Sequence, residues 1–102
     1  KRIIKPSIYQ DFTTNANHPF MNALRDNDLM NWTPASDMKI IYCQGDDHVA
    51  GQNAINAYNA FIQRGATRVR LLRADESSPL NHSGCAVPSL LAAKAFVDSL
   101  KQ

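Results

Sequence analysis

The stretch MKIIYCQGDDHVAGQNAINAYNAFIQRG, residues 38–65, determines the fold. Its opening run, MKIIYC at 38–43, is apolar and contains β-branched side chains, which predicts a short strand buried on both faces. A polar turn with acidic residues follows, and apolar side chains then recur at helical spacing up to Gly65, a residue type that often ends helices. We therefore expect a strand over 38–43 and a helix over about 51–64.

A second strand and a last helix follow this segment. TRVRLL at 67–72 alternates apolar and charged side chains, which is typical of a strand with one solvated face. Pro88 then opens PSLLAAKAFVDSL, in which apolar residues form a single helical stripe. Strand, helix, strand and helix in this order predict an α/β fold whose two strands are parallel and joined by the first helix.

A sheet of only two strands leaves part of its surface uncovered. Parallel sheets occur almost only in larger assemblies with both faces covered, and two strands alone are marginally stable in water. We therefore expect either a fragment of a longer protein or a chain that associates with itself through the open sheet edge. The chain begins at Lys1 rather than Met, which indicates a processed or truncated product and leaves the compartment open, including a secreted or periplasmic one.

The region before the first strand divides into two parts. Residues 1–17 are polar and interrupted by proline, which indicates a linker or the remnant of a cap rather than part of the core. HPFMNALRDN then places Pro19 in a first helical turn, which predicts a short helix that ends near Asn27 as a helical lead-in to the first strand. We therefore assign residues 18–102 to the α/β unit.

The composition excludes several kinds of partner. Lys and Arg total 11 against 9 Asp and Glu, and a formal charge of +2 is too small and too scattered for a nucleic-acid or acidic-membrane surface. No apolar run reaches the roughly 20 residues that cross a bilayer, and we expect no cofactor. Cys43 and Cys85 lack metal-ligand spacing, so we expect no metal site there and buried, reduced thiols.

Acids and a histidine follow the two predicted strands. Asp46 and Asp47 come after the first strand, and His82 lies in the polar loop RADESSPLNHSGCAVP after the second. Because the loops that follow neighbouring parallel strands lie at the same edge of a sheet, these side chains can meet there. An acid followed along the chain by a histidine matches the last two members of a hydrolase triad, whose chain order is serine, acid, histidine. The alternatives are helix capping by either acid, or a metal held by both acids and His48, which we otherwise expect to be a solvated loop side chain.

Three stretches resemble the C-terminal part of the α/β-hydrolase superfamily, most closely its bacterial esterase-like and prolyl-oligopeptidase-like members: ALRDNDLMNWTP, IIYCQGDDHVAGQNAINAYNAFIQRGA and NHSGCAVPSLLAAKAFVDSLK. The resemblance extends from about Phe20 to Leu100. In that family an acid loop of the form G-x-x-D-x-x-V-P precedes a helix. Alignment through Val49 implies that Asp46 is the catalytic acid and His82 the catalytic histidine, and that the carboxylate of Asp46 faces the imidazole.

Some family features are absent. Cys43 stands where Gly is usual and Ala50 where Pro is usual, and the sequence contains neither G-x-S-x-G nor an oxyanion motif such as H-G-G-G. The resemblance therefore implies the C-terminal fragment of a serine hydrolase that acts on small-molecule carboxylic esters, or of a related peptidase. Its nucleophile would lie upstream, so the fragment would be inactive alone. The alternative function is a non-catalytic α/β module that binds a ligand or a partner at the same edge.

Overall fold

A computed structural model describes residues 3–101 of the chain. Its two strands are adjacent and parallel, with Met38 opposite Val69 at one end and Tyr42 opposite Arg73 at the other. The predicted mixture of helices with a small parallel sheet is therefore confirmed. The elements in chain order are α1 (Pro6–Thr14), α2 (Pro19–Asp26), β1 (Met38–Tyr42), α3 (Gly51–Gln63), β2 (Val69–Arg73) and α4 (His82–Ser99).

Apolar packing is concentrated where β1 and β2 begin and α3 ends. Phe61, Ala66 and Val69 are buried there, and we call these three residues the apolar cluster. Trp32 adds an edge-on contact with Phe61, with 5.6 Å between ring centroids. The chain turns back into β2 at Gly65, whose φ of 89° lies in the left-handed region that favours glycine. Partly buried neighbours complete this packing: Met38, Ile40, Ala57 and Tyr58.

The last helix, α4, begins at His82, earlier than the sequence predicts. Asn81 caps it, since its Oδ1 accepts a hydrogen bond from the backbone N–H of Gly84 at 2.8 Å. The prediction that Pro88 opens this helix is wrong: Pro88 lies inside it, where its missing N–H leaves one intrahelical bond unmade. His82 is therefore on the first turn of a helix rather than in a loop. Among residues 3–101, no helix combines the length and apolarity needed to cross a membrane.

The segment before β1 forms two short helices without buried residues. A linker or cap remnant is predicted over 1–17, but α1 occupies 6–14, because proline at the first helical position opens a helix rather than interrupting it. Residues 1 and 2 lie outside the described residues. α2 ends beside its C-cap Asn27, as predicted. Phe12 of α1 packs near Phe20 of α2, at 5.5 Å between ring centroids, so the two helices contact each other.

Candidate active site at the carboxyl end of the sheet

The residues after β1, 44–50, form what we call the acid loop, and it lies against the first turn of α4. Nδ1 of His82 is 3.0 Å from Oδ2 and 3.1 Å from Oδ1 of Asp46. The prediction that Asp46 rather than Asp47 faces the imidazole is therefore confirmed as geometry. The catalytic roles of Asp46 and His82 stay predictions.

Asp46 is held in place by the backbone of its own loop. Its Oδ1 accepts hydrogen bonds from the N–H groups of His48 and Val49 at 2.9 and 2.8 Å. The Val49 N–H is the largest cause of a pKa of about 2 for Asp46, and the His82 side chain is the next. Burial and the His48 N–H have smaller and opposite effects on this pKa. Asp46 is therefore a carboxylate at neutral pH, aimed at the imidazole by a local turn.

Asp47 contacts the backbone of His82 rather than its ring. Its Oδ1 accepts a hydrogen bond from the His82 N–H at 3.0 Å, and this bond is the main reason that the pKa of Asp47 lies below its ordinary value. The interpretation that Asp46 or Asp47 caps α3 is wrong, because the N-cap of α3 is Ala50 and no side chain caps it. Asp47 instead binds the first amide of α4, where a helix favours negative charge.

His48 stacks on His82, with ring centroids 4.7 Å apart and ring planes inclined by 22°. The side chain is exposed, as predicted, but it is also part of the site. Its position two residues after the acid was the only sequence signal for this role. Within residues 3–101, no group of three or more His, Cys, Asp or Glu side chains is arranged to hold a metal ion.

Asp75, which the sequence analysis missed, lies buried between the acid loop and the loop before α4. Burial raises the pKa of its carboxyl group, but hydrogen bonds outweigh this effect and hold that pKa well below its ordinary value. Asp75 thus ties the two loops together. Its place just after the second strand, at the same edge as the acids, was the available signal. Its donors, at 2.7–3.1 Å, are the N–H groups of Gln44, Gly45 and Leu80 and the Nε–H of Arg73.

Cys43 and Cys85 form a disulfide with 6.1 Å between their Cα atoms. The prediction of reduced thiols is therefore wrong. It placed Cys85 ahead of a helix that opened at Pro88, whereas α4 begins at His82 and carries Cys85 in its first turn, within bridging distance of the end of β1. Both cysteines are buried, as predicted.

A cavity of about 360 Å³ lies beside the Asp46–His82 pair. Its walls include the disulfide and mainly apolar side chains, such as Ile41, Tyr42 and Val49. The His82 side chain is half exposed, and its ring hydrogen bonds within residues 3–101 are made through Nδ1. Nε2 is therefore the ring nitrogen left to act on a further group.

Comparison with protein-family models, with curated proteins and with solved structures finds no match for this chain. The resemblance to the α/β-hydrolase superfamily therefore stays a prediction. Its support consists of the quoted sequence stretches and of the contact between the residues that the alignment pairs.

Proposed function

We propose that this chain carries the acid and the base of a Ser-Asp-His hydrolase acting on small-molecule carboxylic esters. In this proposal its fold is the C-terminal part of an α/β-hydrolase fold. The observation that carries the proposal is the Asp46 carboxylate, 3.0 Å from Nδ1 of His82. A carboxylate on Nδ1 fixes the tautomer in which Nε2 is free to accept a proton.

The proposed mechanism assigns one step to each side chain. His82 removes the proton of a serine hydroxyl through Nε2 as the serine attacks the ester carbonyl, and then returns that proton to the leaving alcohol. Asp46 holds the Nδ1–H and stabilises the imidazolium that forms in between. Its pKa of about 2 supports this role, because the group stays charged throughout the neutral range.

The nucleophile in this proposal comes from a segment upstream of the chain. Ser89 lines the cavity, but its Oγ lies 3.1 Å from Sγ of Cys85, and no hydrogen bond within residues 3–101 joins a serine hydroxyl to His82. The apolar cavity beside Asp46 and His82 offers room for an approaching nucleophile and part of an ester. A G-x-S-x-G motif in the upstream coding sequence is therefore expected.

The direct test compares two neighbouring carboxylates in the longer protein that such a coding sequence would encode. Asp46→Asn should lower kcat by about 10⁴, because the amide favours the wrong imidazole tautomer. Asp47→Asn is the matched control: its amide oxygen still accepts the His82 N–H, so kcat should change far less. Equal losses in the two variants would contradict the assignment of the catalytic acid.

The 102-residue chain by itself should not turn over p-nitrophenyl acetate above a His82→Ala background. Without a serine nucleophile, the imidazole and carboxylate only weakly assist water, since covalent catalysis and the oxyanion hole are missing. Saturable turnover that the His82→Ala variant abolishes would contradict the fragment proposal. An upstream sequence without a nucleophile motif would favour the non-catalytic binding module instead.

We also propose that the chain associates with itself through the outer edge of β1. Among the described residues β1 pairs only with β2, so its other edge has unpaired backbone groups. Apolar side chains of α4, including Leu90 and Leu91, are mostly exposed. Light scattering should therefore give a mass above that of one chain, and a compact monomer would contradict this proposal.

A further inference from the structure

The Cys43–Cys85 disulfide lies close to the two residues proposed to carry the chemistry. Cys43 precedes Asp46 by three positions, and Cys85 follows His82 by three. Both cysteines line the cavity that the acid and the histidine also line. The bridge thus joins the end of β1, where the acid loop starts, to the first turn of α4, which carries His82.

Other connections hold His82 mainly from its N-terminal side. Asp75 accepts the N–H of Leu80 and so fixes the residues that precede the histidine. Asp47 accepts the N–H of His82 itself, but Asp47 is exposed, so water competes for this hydrogen bond. On the C-terminal side of His82, the disulfide from Cys85 attaches α4 covalently to Cys43 at the end of β1.

The partly buried side chains of α4 all lie after its first turn: Pro88, Ser89, Ala92, Ala93, Phe96 and Asp98. The helix packs chiefly on β1, and among its described residues only Cys85 is buried. An apolar side chain that stays in water contributes little to holding a helix in one orientation. The direction of the first turn therefore depends on the bridge. The apolar side chains of α4 that are mostly exposed are Val87, Leu90, Leu91 and Val97.

We propose that the Cys43–Cys85 disulfide positions His82 against Asp46, so that their hydrogen bond forms in the oxidised chain and is lost on reduction. This inference rests on the hydrolase function proposed above, in which that contact orients the general base. The cysteines are positioning residues, since they take no part in bond making or breaking on the ester. The acid–base pair is then assembled only where the cysteines are oxidised.

Reduction by a dithiol breaks the Sγ–Sγ bond through a mixed disulfide. The bridge takes up two electrons and two protons to give two thiols, while the dithiol is oxidised to a disulfide. Asp75 still keeps the acid loop beside Leu80 in the reduced chain. We therefore expect the fold to persist while the first turn of α4 moves away from Asp46.

The test follows the His82 imidazole by nitrogen-15 NMR in the full chain under mildly alkaline conditions. The oxidised chain should hold its ring proton on Nδ1, and this preference should be lost after dithiothreitol treatment. The Cys43→Ala/Cys85→Ala variant should show the same loss without a reductant. Asp46→Asn supplies the reference spectrum of a broken contact.

Phe61→Leu is the matched control, because it weakens the apolar cluster without touching the site. It should lower the unfolding temperature and keep the ring proton of His82 on Nδ1. Loss of that preference in Phe61→Leu as well would overturn the proposal, since general destabilisation would then explain it. Loss of helical circular dichroism on reduction would also overturn it, because the bridge would then hold the whole fold.

Mass spectrometry identifies the state of the cysteines in each sample. An Nδ1 proton that persists in a chain with two free thiols would overturn the proposal, as would an air-oxidised chain whose mass lacks the loss of two protons. This failure differs from failure of the hydrolase function. A longer enzyme that needs Asp46 but stays fully active when reduced supports the function and refutes the role of the disulfide.

Discussion

The two ends of the small sheet are held together by different kinds of interaction. At the amino end, where β1 and β2 begin, the apolar cluster of Phe61, Ala66 and Val69 packs with partly buried neighbours. At the carboxyl end, the buried Asp75 carboxylate joins two loops, and a disulfide joins the end of β1 to the first turn of α4. Apolar burial is non-directional, whereas hydrogen bonds and covalent bonds fix distances and angles.

This difference explains why the candidate site lies at the carboxyl end. A site must hold its side chains within fractions of an ångström, which directional interactions achieve better than a small core. The bridge fixes the end of β1 against the first turn of α4, with 6.1 Å between the two Cα atoms. The amino end, by contrast, supplies stability without fixing a reactive geometry.

The largest expected effect on stability is at the amino end. Phe61→Ala removes a buried aromatic ring that touches Trp32 and leaves a cavity, so the free energy of unfolding should fall by about 3–5 kcal/mol in urea titrations. Ile62→Ala is the matched control, because Ile62 follows Phe61 on α3 but is exposed, and its effect should be much smaller. Equal effects would show that the apolar cluster does not support this end.

The next largest effect is expected from Asp75→Asn at the carboxyl end. The amide cannot balance the charge of Arg73. Its N–H₂ group, itself a donor, faces backbone N–H groups that now donate hydrogen bonds to the carboxylate. We expect Tm to fall by about 12–24 °C, since breaking a buried pair costs about 3 kcal/mol and each kcal/mol shifts the Tm of a domain of this size by about 4–8 °C. Glu76→Gln, at the exposed neighbouring position, is the control and should leave Tm close to wild type. A wild-type Tm for Asp75→Asn would mean that the apolar end alone determines stability.

The contrast between the two ends also explains what the sequence predicted. β1, β2 and α3 were predictable because their apolar periodicity is local, and the contact between the acid loop and His82 because parallel strands bring their loops to one edge. The choice of Asp46 over Asp47 came from the family resemblance. Asp75 was not predictable as a site residue, because its hydrogen-bond partners belong to one loop about 30 residues earlier and another five residues later. The start of α4 was misplaced because Pro88 is a more visible sequence signal than a cap by Asn81, which only the backbone geometry reveals.

Lowering the pH should destabilise the carboxyl end of the sheet by protonating Asp46. Its pKa is about 2 in the folded chain against an ordinary value of 3.8, so the unfolded chain binds more protons between these values. Stability from this group is therefore fully present above its unfolded pKa and is lost as pH falls through its folded pKa. Urea titrations between about pH 5 and pH 2 should show a shallower acid slope in Asp46→Asn than in wild type. An unchanged slope would mean that the loop contacts of Asp46 do not form in solution.

The smallest effect is expected when an Arg–Asp ion pair is broken at the amino end of the sheet rather than at the carboxyl end. Arg68 pairs with Asp37 at the start of the strands, where the side chains are 56% and 32% exposed, whereas Arg73 pairs with the fully buried carboxylate of Asp75. Arg68→Gln should lower the urea midpoint only slightly, because water and salt screen a pair in which neither side chain is buried. Arg73→Gln should lower the midpoint measurably at both low and high salt, because it leaves a buried charge short of one partner. If Arg68→Gln lowered the midpoint as much as Arg73→Gln does, directional interactions would stabilise both ends alike, and the candidate site would have no structural advantage at the carboxyl end.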